Sequence, residues 1–176
     1  KETVGTAVVN YAGNYPGAVD GELWYDSTNK DFKYRYANVT SAGSWSAGNS
    51  MNTAREQLAG NGLQTAALAI GGMTTTEVAN TESYNGINWT EVNDLTTARR
   101  THASAGTSTS ALAFGGNSTT AIVADTETWN GTNWTEVNNL NTARKGLAGA
   151  GTDNEACIAV GGENPTVNVA VTESWN

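Results

Sequence analysis

Few residues of this chain could carry out catalysis. It contains one histidine, His102, and one cysteine, Cys157. A histidine can act as a general base and a thiolate as a nucleophile, but each needs correctly placed partners. One cysteine cannot form an intramolecular disulfide, and one histidine cannot supply a histidine-rich metal site. We therefore predict no catalytic residue, no metal site and no cofactor.

Three recurring glutamates could supply paired carboxylates for hydrolysis or ligands for a cation: Glu82, Glu127 and Glu173. Three arginines recur with them: Arg55, Arg99 and Arg144. A catalytic pair is expected to break a repeat, and here acids and bases recur in equal number. The pattern favours structural ion pairs or hydrogen bonds to the backbone over a function in chemistry.

The elements that hold these residues are copies of one another. Tryptophans recur at intervals of 44 and 45 residues: Trp45, Trp89 and Trp134. Diglycines recur at intervals of 44 and 46: Gly71-Gly72, Gly115-Gly116 and Gly161-Gly162. Three units therefore occupy residues 45–88, 89–133 and 134–176, and residues 1–44 stand outside the pattern.

The repeat also assigns the two reactive side chains to framework positions. The residues aligned with His102 are Leu58 and Leu147. The residues aligned with Cys157 are Ala67 and Ala111. Both positions otherwise hold apolar side chains, so we expect a core histidine and an inert, buried thiol.

Each unit has the pattern of four short strands, which we number from first to fourth in chain order. The first strand follows the arginine, and the second strand is apolar. Apolar runs at residues 66–70, 111–114 and 156–160 lead into the diglycines and predict strands buried on both faces. A third strand follows that ends in Thr-Glu-x-aromatic, and Asn-Gly predicts a tight hairpin turn directly into a fourth strand at residues 88–92 and 133–137. With 26 Thr, 21 Asn, 20 Gly and only 2 Pro in 176 residues, the chain is predicted to be all-β. Repeated four-stranded units of this length are typical of β-propeller blades.

Charge and hydropathy exclude two classes of partner. The net charge is −8 and the chain has no basic run, so we expect no nucleic acid partner. No apolar run approaches the about 18 residues that cross a bilayer, so we expect no membrane insertion.

The landmarks resemble the kelch repeat, in which a diglycine, an aromatic residue, a tryptophan, a leucine or methionine and an arginine follow one another. The last three recur as Trp45, Met51 and Arg55, as Trp89, Leu95 and Arg99, and as Trp134, Leu140 and Arg144. The loop before each tryptophan is shorter than is usual in that family. The resemblance implies a kelch-like β-propeller with three blades in this chain.

Three blades form an incomplete ring, because propellers contain roughly four to eight blades. The repeat region begins with a strand at Trp45 that matches the fourth strand of a unit. It finishes with a strand at Trp175 that matches the third strand, so the last blade lacks its outer strand. Either further blades follow Asn176, or chains combine, for example as two chains in a six-bladed ring. We favour further blades because the sequence stops just before the expected Gly-x-Asn-Trp, and we expect an oligomeric assembly with other subunits or blades.

Residues 1–44 are expected to form an attachment segment. We predict a strand at residues 3–11, a turn at Pro16-Gly17, and a β-hairpin of residues 21–26 and 32–36. The Gly-Glu-Leu-Trp-Tyr-Asp-Ser stretch resembles a short hairpin element of bacteriophage tail-fibre and other virion proteins. This second resemblance implies a virion or extracellular location.

The loops between strands are the candidate binding residues, since loops on a rigid scaffold usually carry specificity. The candidates vary among the units: Thr74, Thr75, Asn117, Ser118, Thr119, Asp153, Asn154, Glu163 and Asn164. Unconstrained drift explains the same variation equally simply.

We therefore expect a non-enzymatic propeller, a virion or tail-appendage structural protein that presents loops to a cell-surface glycan or protein. One alternative is the propeller domain of a secreted carbohydrate-active enzyme. Galactose-oxidase relatives bind copper through histidine and tyrosine, and one histidine cannot supply that site. Another alternative is a bacterial kelch protein-interaction module.

Overall fold

The computed structural model describes residues 9–11, 22–34 and 43–176. The described residues form β-strands and no helix, so the predicted all-β fold is confirmed. The chain divides into two compact units, residues 1–46 and 47–176.

The first unit contains one three-stranded sheet. Its strands are β1 (Val9–Tyr11), β2 (Leu23–Asp26) and β3 (Asp31–Tyr34). Strand β2 pairs with β3 as the predicted hairpin and with β1 in parallel. The buried Asp26 carboxylate accepts hydrogen bonds from the Thr28 and Asn29 amides, which fixes the turn. Residues 3–8, the Pro16-Gly17 turn and residues 35–36 of the predicted hairpin lie outside the described residues.

The second unit contains three open antiparallel sheets that follow one another along the chain. Sheet 1 consists of β4 (Ala59–Leu63), β5 (Ala66–Ile70), β6 (Thr81–Tyr84) and β7 (Trp89–Val92). Sheet 2 consists of β8 (Ala103–Gly106), β9 (Ala111–Phe114), β10 (Thr126–Trp129) and β11 (Trp134–Val137). Sheet 3 consists of β12 (Ala148–Gly151), β13 (Cys157–Val160) and β14 (Thr172–Trp175). In each sheet the strands lie side by side in chain order.

The sheets pack face to face through their apolar second strands. Strand β9 points Ala111 and Ala113 toward sheet 1, in a core with Leu68 and Ile70. Its alternate residues Leu112 and Phe114 point toward sheet 3, in a second core. The first strands also meet, since β8 contacts both β4 and β12. Sheet 2 is therefore the middle layer and is covered on both faces.

Burial on both faces, predicted for all three second strands, is wrong for β13. Cys157 and Ala159 face sheet 2 and are buried, whereas Ile158 and Val160 are 38% and 41% exposed. The sequence pattern of β13 matches that of β9, but among the described residues no fourth sheet covers its outer face. A neighbouring layer, rather than the strand's own composition, decides its burial.

The strand predicted at Trp45 is also absent from the structure. Residues 43–50 form no strand, and the Trp45 side chain is fully exposed. Trp45 is thus not a packing landmark of its own unit, unlike Trp134, which is buried between sheets 1 and 2. The fourth strand of a unit pairs with the edge of a third strand. In the described part of the chain no third strand of the repeat precedes Trp45, so the segment around Trp45 has no such edge to pair with.

The hairpins between third and fourth strands differ from the predicted tight turn. Tyr84 pairs with Trp89, which leaves a four-residue loop at 85–88. Only Gly86 adopts a positive φ, of 91°, and Asn85 instead accepts hydrogen bonds from the Ile87 and Asn88 amides. Asparagine therefore stabilises this loop through its side chain and not through its own backbone conformation.

Candidate functional site

The repeated arginines and glutamates form three ion pairs. In each pair the arginine lies in the segment before a first strand, and the glutamate lies in the third strand of the same sheet. The pairs are Arg55 with Glu82, Arg99 with Glu127, and Arg144 with Glu173. The arginine side chains are fully buried, as are the first two carboxylates. Each guanidinium also donates to backbone carbonyls, for example from Arg144 to Val171 O at 2.6 Å. Buried charges with this many partners hold the framework and are closed to a substrate.

The Glu82 carboxylate stays charged although it is buried. Burial raises the pKa of its carboxyl group, but hydrogen bonds from Arg55 and from the Asn52 and Thr53 amides outweigh burial and lower that pKa below its usual value. The Thr96 amide meets Glu127 at 2.7 Å, and the Asn141 amide meets Glu173 at the same distance. Among the residues that the structure describes, no cluster of three or more His, Cys, Asp or Glu side chains could hold a metal ion.

His102 lies in the protein interior at the end of the sheets where the diglycines turn. Its side chain is 5% exposed, and burial together with the nearby Arg99 charge lowers its pKa to about 3. A Cβ atom on Gly71 would approach the His102 ring to 2.8 Å, and one on Gly116 would approach the His102 Cβ to 2.7 Å. The histidine therefore fills the space between two diglycine turns, the place that leucine occupies in the other repeats.

Cys157 is a buried thiol in the core between sheets 2 and 3. Burial and the nearby Asp153 charge raise its pKa to about 11, and its Sγ donates to Asp153 O at 2.8 Å. A thiol in these surroundings remains protonated at neutral pH and is a poor nucleophile.

The candidate loop residues do not form one surface. The loops after the diglycines lie at one end of the sheets, here called the diglycine end, and contain Thr74, Thr75, Asn117, Ser118, Thr119, Glu163 and Asn164. Asp153 and Asn154 lie in the turn between β12 and β13, which is at the opposite end of the sheets. Only the first set can contribute to a common binding site.

Asp153 and Asn154 are also occupied by structural contacts. The Asp153 carboxylate accepts from the Glu155 and Ala156 amides. Asn154 links sheets 2 and 3, because its Oδ1 accepts from Ser110 Oγ at 2.7 Å and its Nδ2 donates to Thr128 Oγ1 at 2.8 Å. We therefore assign both residues to the scaffold.

An open groove of about 610 Å³ lies at the diglycine end and is the candidate binding site. We call it the diglycine groove, and its polar lining includes Gln57, Arg100, Asn117, Lys145 and Glu163. Arg100 donates from Nη1 to Gln57 at 3.0 Å and pairs with Glu77 at 3.0 Å. Lys145 lies 3.6 Å from the Glu163 carboxylate. The groove presents paired charges and an amide, all partly open to solvent.

Of the residues that line the groove, the sequence predicted Asn117 and Glu163 but not Gln57, Arg100, Lys145 or the other lining residues. Arg100 and Lys145 directly follow the buried arginines, and the aligned residue in the first unit is Glu56. This position changes between acid and base, whereas the arginine before it does not change. That contrast is a sequence signal that could have identified the position as a candidate binding residue. That these residues meet the post-diglycine loops depends on backbone pairing of Arg100 with Asn117 and of Lys145 with Glu163.

No protein-family model matches this chain, and no curated protein matches it. No helix in the described part of the chain is long and apolar enough to cross a membrane.

Proposed function

We propose that the three sheets are kelch-like blades and that the chain is a non-enzymatic β-propeller module of a bacteriophage virion. The repeated strand order, with first strands β4, β8 and β12 adjacent and the tryptophan strands outermost, supports the blade assignment. The N-terminal hairpin β2–β3, which resembles a virion-protein element in sequence, supports the location.

The module would recognise a cell-surface glycan or protein through the diglycine groove. The observation that carries this proposal is the variation of one framework position at that end, which holds Glu56, Arg100 or Lys145 while the preceding arginine stays buried and unchanged. Guanidinium, amide and carboxylate groups can hydrogen-bond sugar hydroxyls or polar protein surfaces, and a few such groups in a concave site fix a ligand's orientation.

The proposal is tested by exchanging one loop of the groove. Residues 117–125 and 163–171 are loops of equal length, and Asp125 O and Val171 O accept equivalent arginine hydrogen bonds at 2.6 Å. Replacing the first sequence by the second should keep the fold and change the ligands bound on a printed array of bacterial surface polysaccharides, or the attachment of particles that carry the chain.

A matched control changes the opposite end of the same sheet. Thr132→Ile introduces the residue that the first unit carries at the aligned position, Ile87. It should leave binding unchanged. An unchanged set of bound ligands after the loop exchange, or an equal loss of binding by both variants, would contradict recognition at the diglycine groove. Absence of the chain from purified virions would contradict the virion location separately.

A further inference from the structure

A cavity of about 240 Å³ opens between sheets 2 and 3 at the outer edge of the core. Its walls include Leu112, Phe114, Thr126, Leu140, Cys157 and Trp175. These residues come from both sheets, and the cavity reaches the free edge of β14, the last strand of sheet 3. We call this cavity the edge socket.

The corresponding place between sheets 1 and 2 is filled by Trp134. The residues around it hold the same repeat positions as the walls of the edge socket: Leu68, Ile70, Thr81, Leu95, Ala111 and Trp129. Trp134 is 6% exposed, packs on Trp129 with ring centroids 5.3 Å apart, and donates from Nε1 to Thr81 Oγ1 at 3.1 Å. The edge socket is therefore lined by the same repeat positions as the Trp134 site, and Thr126 occupies the place of the acceptor Thr81.

A tryptophan that entered the edge socket as Trp134 enters its own site would lie on a strand paired with β14. Trp134 belongs to β11, which pairs with β10, and sheet 3 has no strand in that position among the described residues. The only tryptophan of the repeat without a place in a sheet is Trp45, whose side chain is fully exposed. An unpaired strand edge is a feature that proteins normally cover.

The residues that follow Trp45 already lie as they would after a paired strand. Asn49 bonds to Asn88 at 2.8 Å, as Asn93 bonds to Asn133 at 2.6 Å in the next sheet. The Asn52 amide donates to Glu82 at 2.7 Å, as the Thr96 amide donates to Glu127 at 2.7 Å. Residues 49–52 thus contact sheet 1 in the manner in which the continuation of β7 contacts sheet 2.

We propose that the strand around Trp45 of a second copy of this chain pairs with β14 and places its indole in the edge socket. The pairing Trp129 with Trp134 then recurs as Trp175 with Trp45, and Ser174 lies opposite Ser46. The same exchange in the other direction gives a twofold dimer of six sheets. Six sheets lie within the about four to eight that close a propeller, whereas three do not.

The proposed pairing would also bring the outer face of sheet 3 toward a strand of the second copy. The exposed Ile158 and Val160 would face β5 of the second copy, where Ala67 is half-buried and Ala69 is already buried within its own chain. This inference goes beyond the proposed function, because it holds or fails whatever the propeller recognises and wherever it is located.

Cysteine cross-linking tests the register directly. Ser46→Cys and Ser174→Cys are made on separate chains, both carrying Cys157→Ala, which is the residue found at the aligned positions. Opposed residues of antiparallel strands have Cα atoms about 4.5–5.5 Å apart, within disulfide range. Mixing the two proteins and oxidising them should yield a covalent heterodimer. The matched control replaces Ser174→Cys by Ser83→Cys, at the aligned position of β6, whose edge β7 already covers, and should yield none.

Sedimentation tests the role of the indole. The unmodified chain should be a dimer at micromolar concentration, and Trp45→Ala should raise the dissociation constant at least about 30-fold, as for a central aromatic anchor of an interface. Ile87→Ala, which removes another exposed apolar side chain, should leave it unchanged. A monomeric unmodified chain, an absent cross-link, or a disulfide that forms only within one chain when both cysteines are present would overturn the proposal. None of these results depends on glycan binding.

Discussion

At the scale of single residues, the framework tolerates one ionisable substitution at a core position. His102 replaces leucine between two diglycine turns, and neither ring nitrogen has a hydrogen-bond partner among the described residues. The nearby Arg99 charge further disfavours a protonated ring. The neutral imidazole therefore serves as a packing group, and protonation is coupled to unfolding.

We predict that His102→Leu weakens the acid sensitivity of the protein. The pKa of His102 is about 3 in the folded chain and 6.5 in the unfolded one, so the unfolded state binds the extra proton between these pH values. The histidine therefore destabilises the fold as the pH falls below 6.5, by up to about 1.4 kcal/mol per pH unit, and has no such effect above it.

Urea denaturation of both proteins between pH 7 and pH 4 measures this effect. The carboxylates are common to both chains, so the difference between their unfolding free energies isolates the histidine. That difference should shift in favour of the leucine variant as the pH falls. A difference that does not change with pH would contradict a buried, neutral His102.

At the scale of strands, equal patterns have unequal environments. Strands β5, β9 and β13 carry similar apolar sequences, but among the three described sheets of the second unit only β9 lies between two of them. The tryptophans behave in the same way. Trp134 is buried against sheet 1, whereas Trp89 is half-buried and packs on Tyr84 with ring centroids 4.9 Å apart. The contribution of a repeated residue to stability thus depends on whether a preceding sheet is present.

Tryptophan truncation should reveal this inequality. Trp134→Ala should cost about 3–5 kcal/mol, the range for a buried large aromatic, and Trp89→Ala should cost clearly less. Both are measured by chemical denaturation in the Trp45→Ala background, in which no second copy covers Trp89. Equal losses would show that Trp89 is as well packed as Trp134 and would contradict the difference in burial.

At the scale of the molecule, the three sheets form a short stack with an unequal distribution of stability. Sheet 2 has neighbours on both sides, while β13 exposes Ile158 and Val160. Local opening is easiest where few buried contacts must be broken. The proposed dimer would supply sheet 3 with both a fourth strand and a covering face.

Hydrogen exchange should follow this distribution. In the Trp45→Ala variant, the amides of β9 should exchange most slowly and those of β14 fastest among the second and third strands. In the unmodified chain, at concentrations where it is dimeric, protection of β14 should rise toward that of β10. Equal protection of β14 and β10 in the monomeric variant would contradict the unequal stack.

Local pattern alone was sufficient for most of the strands, the repeat and the Arg–Glu pairs, but not for the strand predicted at Trp45. Continuous apolar runs, Asn-Gly loops and acids and bases at a constant spacing are set by neighbours along the chain or one repeat away. Thus β9 and β5 begin and end where predicted, and the ion pair of Arg144 with Glu173 forms as the pattern suggested. The all-β class follows from the same local preferences.

Only the tertiary structure decided which copies of a repeated residue are covered and which loops share a surface. In the sequence, Trp45 holds the same repeat position as Trp134, and β13 has the same apolar pattern as β9. Their burial differs because it depends on a neighbouring sheet, which no local pattern records. Likewise, Asp153 and Asn117 read as equivalent loop residues until the strand directions placed them at opposite ends. The diglycine groove and the edge socket exist because separate sheets meet there, and contacts between distant segments are a property of packing rather than of spacing.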